Sequence, residues 1–353
     1  ICLILTGGTI CTQPSPYGWV PTKNQLLSRC LAVNSRFNDP IVRAVSPIPT
    51  VVDERGVLRP GDATFVLPSE RGEPRIRYTA FEFHELLESS AVDSSHWNAL
   101  ASCVIANYPS FTGFVVLHGT DTLAYTASAL SFLLHPLSKP VVLTGSQLSI
   151  FAEPTDAWDN ILGALHAASA GSGAQLEVSI YFHQALHRGN RSTKIHASEF
   201  AAFASPNTNE QEVRPHWLCP DSSNTSGHQR SSIKPFKSLV LLHSPDAAVL
   251  RIYPGISSQV ISAILSFRNL KGLVLETFGA GHMPASPLIL SVLRSAIKER
   301  NLIVVNVSQC LTGTVMGHYA PAKALEEVGV LSGFDMTTES AYTKLLWVLA
   351  QPD

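Results

Sequence analysis

The chain opens on an unbroken apolar run, Ile1 to Leu5, that ends in the turn Thr6-Gly7-Gly8-Thr9-Ile10. The arrangement recurs at Phe114-Val115-Val116-Leu117, followed by His118-Gly119-Thr120-Asp121-Thr122. A short apolar run closed by a glycine turn predicts a strand buried on both faces, as in parallel sheets. Between and after these runs the period changes. A helical pattern covers Thr122 to Leu134, a strand-like run Val141 to Leu143, a second helix Asn160 to Ala168, and a further strand Val178 to Phe182. Strands that alternate with helices predict a doubly wound α/β sheet with helices on both faces. Residues 12–24, rich in Pro, Gly, Ser and Thr, read as a mobile loop in the position of a lid over the first turn.

The second half repeats the alternation on a smaller scale. Strands are predicted at Ser238 to Leu242, Gly272 to Leu275 and Leu302 to Val307, and helices at Ile256 to Phe267 and Leu288 to Arg300. A terminal helix is predicted over Thr337 to Leu349, whose first residues cap it. Residues 207–236 are polar, turn-rich and without periodicity, which marks a linker. The expected organisation is a two-domain α/β protein. Residues 1–206 form a larger N-terminal catalytic domain with a doubly wound sheet, 207–236 a linker, and 237–353 a smaller C-terminal parallel α/β domain.

Composition narrows the partners. A formal net charge of −2 and a pI near 6.7 leave no electrostatic footprint for nucleic acid or an anionic membrane, so a small molecule is expected. No apolar stretch reaches the length of a membrane span. The six cysteines are scattered without CxxC pairs, which suits a reducing compartment and a cytoplasmic location. A metal site is the rival reading of His183 and His187, four apart, with His196, His216 and His228 further on. There is no HExxH and no cluster of acids beside them, so no metal is expected. The Thr6-Gly7-Gly8-Thr9 turn lacks the third glycine of a dinucleotide fingerprint, and no GxxxxGK[ST] occurs.

In an open parallel sheet, turns at the carboxyl ends of strands border the ligand crevice, so Thr9, Thr120 and Asp121 are candidates for one small cavity. The alternative is that the threonines cap the helices that follow. A threonine hydroxyl attacks a carbonyl only when a base takes its proton and donors hold the oxyanion. Lys194, at the end of Arg188-Gly189-Asn190-Arg191-Ser192-Thr193, is the candidate to complete a Thr-Lys-Asp relay. The Asp121 charge favours its ammonium form and desolvation favours the neutral amine, and a base needs a balance of the two.

At these residues the chain resembles the type I, cytosolic-type L-asparaginases over nearly its whole length. The motifs are TGGTI (6–10), HGTDT (118–122), TGSQ (144–147), RGNRSTKIHASEFAAFASPN (188–207), LRIYPGI (250–256), LVLETFGAG (273–281) and SGFDMTTESA (332–341). The resemblance implies hydrolysis of the side-chain amide of L-asparagine, with Thr9 as nucleophile and Thr120, Asp121 and Lys194 as its activating relay. It implies that Ser89 and Ser90 hold the substrate carboxylate, that Asp121 pairs with its α-amino group, and that Gly8, Gly119 and His282 belong to the substrate-binding set. No cofactor is implied. A homodimer or homotetramer is, with each site completed at the subunit interface. The chain departs from the family pattern at Glu88-Ser89-Ser90-Ala91-Val92, where Asp-Ser-Ser-Asp-Met is usual, at the lid residue Trp19, often Tyr, at Gly281-His282 for Gly-Asn, and at Cys11, where Gly is common. Three rival functions share the motifs: a glutaminase-asparaginase, the ammonia-releasing subunit of a tRNA amidotransferase, and a nearly inactive ligand-binding homologue.

Overall fold

The first apolar run is buried from Cys2 to Leu5 because it lies inside a sheet. In the computed structural model, which describes residues 1–39, 42, 48–69, 75–169, 177–208, 239–316 and 320–352, it forms β1 (Cys2–Gly7). Two antiparallel hairpins follow, β2 (Thr12–Ser15) with β3 (Gly18–Pro21) and β4 (Thr50–Val52) with β5 (Leu58–Pro60). Then come β6 (Ala63–Val66), β7 (Arg77–Leu87), α1 (Ser94–Asn107), β8 (Phe114–Leu117), α2 (Leu123–Leu133), β9 (Val141–Thr144), α3 (Ala157–Ser169), β10 (Val178–Phe182) and β11 (Ala185–Arg188). A short hairpin, β12 (Thr193–Lys194) with β13 (Phe203–Ala204), closes this half of the chain.

The large sheet has the order β11-β10-β9-β8-β1-β7-β6. Its five inner strands are parallel, and the edge strands β6 and β11 run antiparallel to their neighbours. The β10–β11 edge follows from its turn. His183 and Gln184 have φ of 46° and 65°, and positive φ at both central residues is what a tight hairpin needs. Leu3, Leu5, Val115, Leu117 and Val142 pack in one cluster with Ala157, Ile161, Ala164 and Leu165 of α3. Strand alternation turns Cys2, Ile4, Val116 and Leu143 to the opposite face, where they are equally buried and where α1 and α2 pack. The sheet is doubly wound.

The expected loop at 12–24 is built instead around the β2–β3 hairpin. Pro14 and Pro21 are compatible with it because an isolated two-stranded ribbon is all edge. Tyr17 at its tip is exposed, and so is Trp19.

The C-terminal unit comprises β14 (Ala247–Arg251), α4 (Ser258–Leu265), β15 (Gly272–Thr277), α5 (Pro287–Arg300), β16 (Ile303–Ser308), α6 (Ala320–Glu327), β17 (Leu331–Ser332) and α7 (Thr338–Leu349). Its four strands are parallel in the order β14-β15-β16-β17. Ser257, Ser286 and Thr337 cap α4, α5 and α7 through their hydroxyls. The strand expected at Ser238 to Leu242 is absent from its described part, 239–242. Pro245, which has no amide proton, sits in a 3-10 turn at Ser244–Asp246, and the ladder starts only after it, with Ala247 opposite Gly272. Of the linker expected at 207–236, residues 209–236 lie outside the described residues, as do His216 and His228.

Contacts divide the chain into two compact units. One holds Ile1–Gly189 and Lys194–Ala204; the other holds the chain from Val240 onward with Asn190–Thr193 and residues 205–208.

Candidate active site

Four segments of the N-terminal unit meet at glycines. A methyl group at Gly8 would fall 2.3 Å from the Cα and N of Gly119, so the turns after β1 and β8 touch backbone to backbone. One at Gly119 would lie 2.4 Å from Ser89 Cβ, one at Gly7 2.3 Å from the Leu87 carbonyl, and one at Gly145 2.3 Å from the His118 carbonyl. Gly7 and Gly8 also have φ of +130° and +88°, open to glycine and strained for other residues. The approach is fixed by the Gly8 N–H, which donates to the Leu87 carbonyl at 2.9 Å. Thr9 and Thr120 each follow one of the two touching glycines.

The expected relay is assembled in part. Lys194 Nζ donates to Thr120 Oγ1 and to Asp121 Oδ1, both at 2.8 Å. The lysine side chain is 19% exposed and the Asp121 side chain 67%, so the pair stands at the edge of the site with the carboxylate open to solvent. The β12–β13 hairpin delivers Lys194, with the Ile195 N–H donating to the Ala202 carbonyl at 2.8 Å. Thr9 is half-buried in a 3-10 turn, and its carbonyl accepts the Thr12 hydroxyl at 2.8 Å. Its own hydroxyl makes no hydrogen bond among the described residues.

Neither candidate threonine caps a helix: Gly8 and not Thr9 stands at the cap of the 3-10 turn, and the Thr120 hydroxyl is bonded to Lys194 and Gln147. Thr122 occupies the cap position of α2 but makes no capping bond, and its hydroxyl donates to the Ser89 carbonyl at 2.7 Å instead. The Ser89 hydroxyl accepts the Thr122 N–H at 3.0 Å, and Ser89 is buried. Ser89 therefore pins its turn to the HGTDT turn, while Ser90 beside it is exposed.

Cys11, where the family pattern has glycine, supports the first turn. Burial, reinforced by the nearby Glu82 charge, pushes its thiol up to about 12, so it stays protonated at neutral pH, and its Sγ donates to the Gly8 carbonyl at 3.3 Å. His282 belongs to the C-terminal unit. It is half-buried, and its backbone closes a tight turn with Phe278 through two bonds of 2.8 Å.

Three further residues carry the arrangement without a role assigned from sequence. Gln147 Nε2 donates to the Glu199 carbonyl at 3.0 Å, which leaves Oε1 to accept the Thr120 hydroxyl at 3.3 Å. Asp156 accepts the Gln147 and Leu148 N–H groups at 3.0–3.1 Å, and Asn160 bridges Asp156 and the Gly145 carbonyl at 3.0 Å each. The TGSQ motif was the available signal for Gln147; Asp156 and Asn160 have none, since apart from each other their partners are backbone atoms. Among the described residues no group of three or more His, Cys, Asp or Glu could hold a metal ion, and no helix is long and apolar enough to cross a membrane.

The motifs placed at these turns match known families. Residues 1–214 match the family model of the asparaginase N-terminal domain, and 246–353 that of the glutaminase/asparaginase C-terminal domain. The chain belongs to the asparaginase family. It is 36% identical to L-asparaginase 1 of Escherichia coli K12 across 99% of this chain and 92% of that protein. It is 39% identical to the 60 kDa lysophospholipase of Mus musculus across 99% of this chain, and spans 58% of that protein's length. Among solved structures, L-asparaginase I from Vibrio cholerae aligns with a TM-score of 0.75 at 35% identity, covering 100% of this asparaginase-family chain and 93% of that one.

Proposed function

We propose that this chain is an L-asparaginase that hydrolyses the side-chain amide of L-asparagine through a covalent intermediate on Thr9. The observation that carries the reading is Lys194 bonded to both Thr120 and Asp121, on a turn packed against the one that bears Thr9. In this mechanism Asp121 accepts the substrate ammonium on the oxygen that Lys194 leaves open, and the Ser89-Ser90 turn receives the α-carboxylate. Thr9 Oγ attacks the amide carbon while its proton passes to the Thr120–Lys194 relay. The C–N bond breaks, ammonia leaves with that proton, and water cleaves the β-aspartyl ester to L-aspartate and free Thr9. The site is proposed to work in a homodimer or homotetramer to which His282 contributes across the subunit interface, with no cofactor.

A second reading has one specific support, the likeness to proteins named 60 kDa lysophospholipase, since an activated hydroxyl attacks esters as well as amides. Ammonia release is measured with asparagine, with glutamine and without substrate, and fatty-acid release with a lysophospholipid. Ammonia from asparagine far above the glutamine and blank rates is expected. Glutamine preference would replace the reading with a glutaminase, fatty acid without ammonia with an esterase, and silence in every arm with a ligand-binding homologue.

A further inference from the structure

His118 opens the HGTDT turn, but among the described residues its side chain makes no hydrogen bond to Thr9, Thr120, Asp121 or Lys194. It is 3% exposed, at the end of β8, beside an inner cavity that Ser89, His96, Trp97, Gly119 and Thr126 also line. Its Nδ1 lies 2.8 Å from the Gly119 carbonyl and its Nε2 3.0 Å from Thr126 Oγ1. Thr126 Oγ1 in turn accepts the indole N–H of Trp97 at 3.0 Å.

The protons in this chain are determined by what each atom can do. A carbonyl only accepts, so Nδ1 must carry the hydrogen that meets Gly119. A neutral imidazole holds one ring proton, so Nε2 is bare and accepts. The Trp97 indole only donates, so Thr126 uses a lone pair for it and its own hydrogen for Nε2. The run is then Trp97 N–H to Thr126 O–H to His118, and His118 N–H to the Gly119 carbonyl, each donor used once. The other titratable group facing the cavity, His96 on α1, is turned to Asp93, with Nδ1 2.8 Å from its carboxylate. Burial drives His118 down to about 4, with His96 adding in the same direction, so charging does not disturb the run above mildly acid pH.

Gly119 is the residue whose backbone lies against Gly8 and Ser89. We infer that His118 is a positioning residue of this site: held as its Nδ1–H tautomer by Trp97 and Thr126, it grips the Gly119 carbonyl and so sets Thr120 and Asp121 against the Thr9 turn. This deepens the proposed amidohydrolase reading and rests on it for the effect on rate, but the tautomer and the grip are measurable without it.

The test is made on the full chain. Nitrogen-15 spectra of labelled histidine, assigned with His118→Asn, are expected to show His118 with a protonated Nδ1 and a bare Nε2, unchanged from pH 5 to 8; an Nε2–H tautomer or a titration in that range overturns the inference. Asn places its amide N–H where Nδ1–H stood, whereas Gln reaches the Nε2 position. His118→Gln is therefore expected to lose about 10²-fold in kcat with little change in KM, and His118→Asn to recover most of that loss. Thr126→Val, a milder change should His118→Gln not fold, is expected to lose about tenfold in kcat, the size of one hydrogen bond. Equal kcat losses in Asn and Gln, or a loss confined to KM, overturn the positioning role. Should neither asparagine nor glutamine yield ammonia, hydrogen exchange of the Gly119–Thr120 turn decides: slow in wild type and His118→Asn but fast in His118→Gln supports the grip, and equal rates in all three refute it.

Discussion

The crest of the N-terminal sheet and three open turns of the C-terminal unit both depend on glycine, for different reasons. At Gly7, Gly8, Gly119 and Gly145 an added methyl group would stand 2.3–2.4 Å from atoms of another segment. At Gly255, Gly279 and Gly313 it would meet nothing within 4 Å, and only the positive φ of 86°, 49° and 107° asks for glycine. The first set makes room for a second backbone, and the second set bends one. A crowded glycine turn thus marks segments brought together from distant sequence, whereas an open one marks a local reversal such as Pro254-Gly255, closed by the Ile256 N–H on the Tyr253 carbonyl at 3.2 Å.

The sharpest way to break this contrast is Gly119→Ala. Its methyl group has no space between Ser89 and Gly8, and displacing the turn by the order of an ångström is expected to cost at least about 10²-fold in kcat/KM. Steady-state ammonia release by a folded variant checks it; near-wild-type activity would dissolve the distinction. Lys194→Met and Thr120→Val come next, each expected to lose about 10²–10⁴-fold in kcat. The double variant should be little worse than the poorer single one, because bonded members of a relay fail together. Losses that multiply would mean that the two groups act independently.

A smaller effect concerns stability at the crest. Burial holds the Glu82 carboxyl above the ordinary glutamate range, although its Oε2 accepts the Asn24 N–H at 2.7 Å. The folded protein therefore keeps this proton to higher pH than the unfolded chain. The ionised group opposes folding at neutral pH, and that penalty fades as pH falls through the folded value towards the unfolded one. Glu82→Gln retains an acceptor for Asn24 and drops the charge. Its Tm is expected to exceed wild type at pH 7, with the gap closing in acid; a gap that widens in acid would contradict the sign. The smallest effect is at an open turn. Gly255→Asn should change stability by no more than about 1 kcal/mol and leave kcat untouched, as denaturant melts and ammonia assays would show.

Much of the N-terminal sheet was legible because β1, β8, β9 and β10 are buried on both faces and so read as plain apolar runs. β7 escaped notice for the opposite reason. It carries Glu82, His84 and Glu85 inside an 11-residue strand, and its place beside β1 is set by the long-range pairing of Leu5 with Glu82. The hairpin at 12–21 was hidden by its prolines, and β14 by the more apolar stretch at 239–242, which stops at Pro245. At the site, HGTDT and the Lys194 stretch stood out by residue type, and Thr120, Asp121 and Lys194 do come together. Asp156 and Asn160 did not stand out, since they act on backbone groups of the TGSQ turn, and no spacing in the sequence reports which carbonyl lies nearby.

The central claim is that Thr9 carries the substrate acyl group. Wild-type protein mixed with asparagine, quenched in acid and digested, is expected to yield the peptide containing Thr9 with an added β-aspartyl group, and Thr9→Ala is expected to yield neither adduct nor ammonia. Steady ammonia release with the adduct on another residue, or substantial turnover by Thr9→Ala, would contradict it.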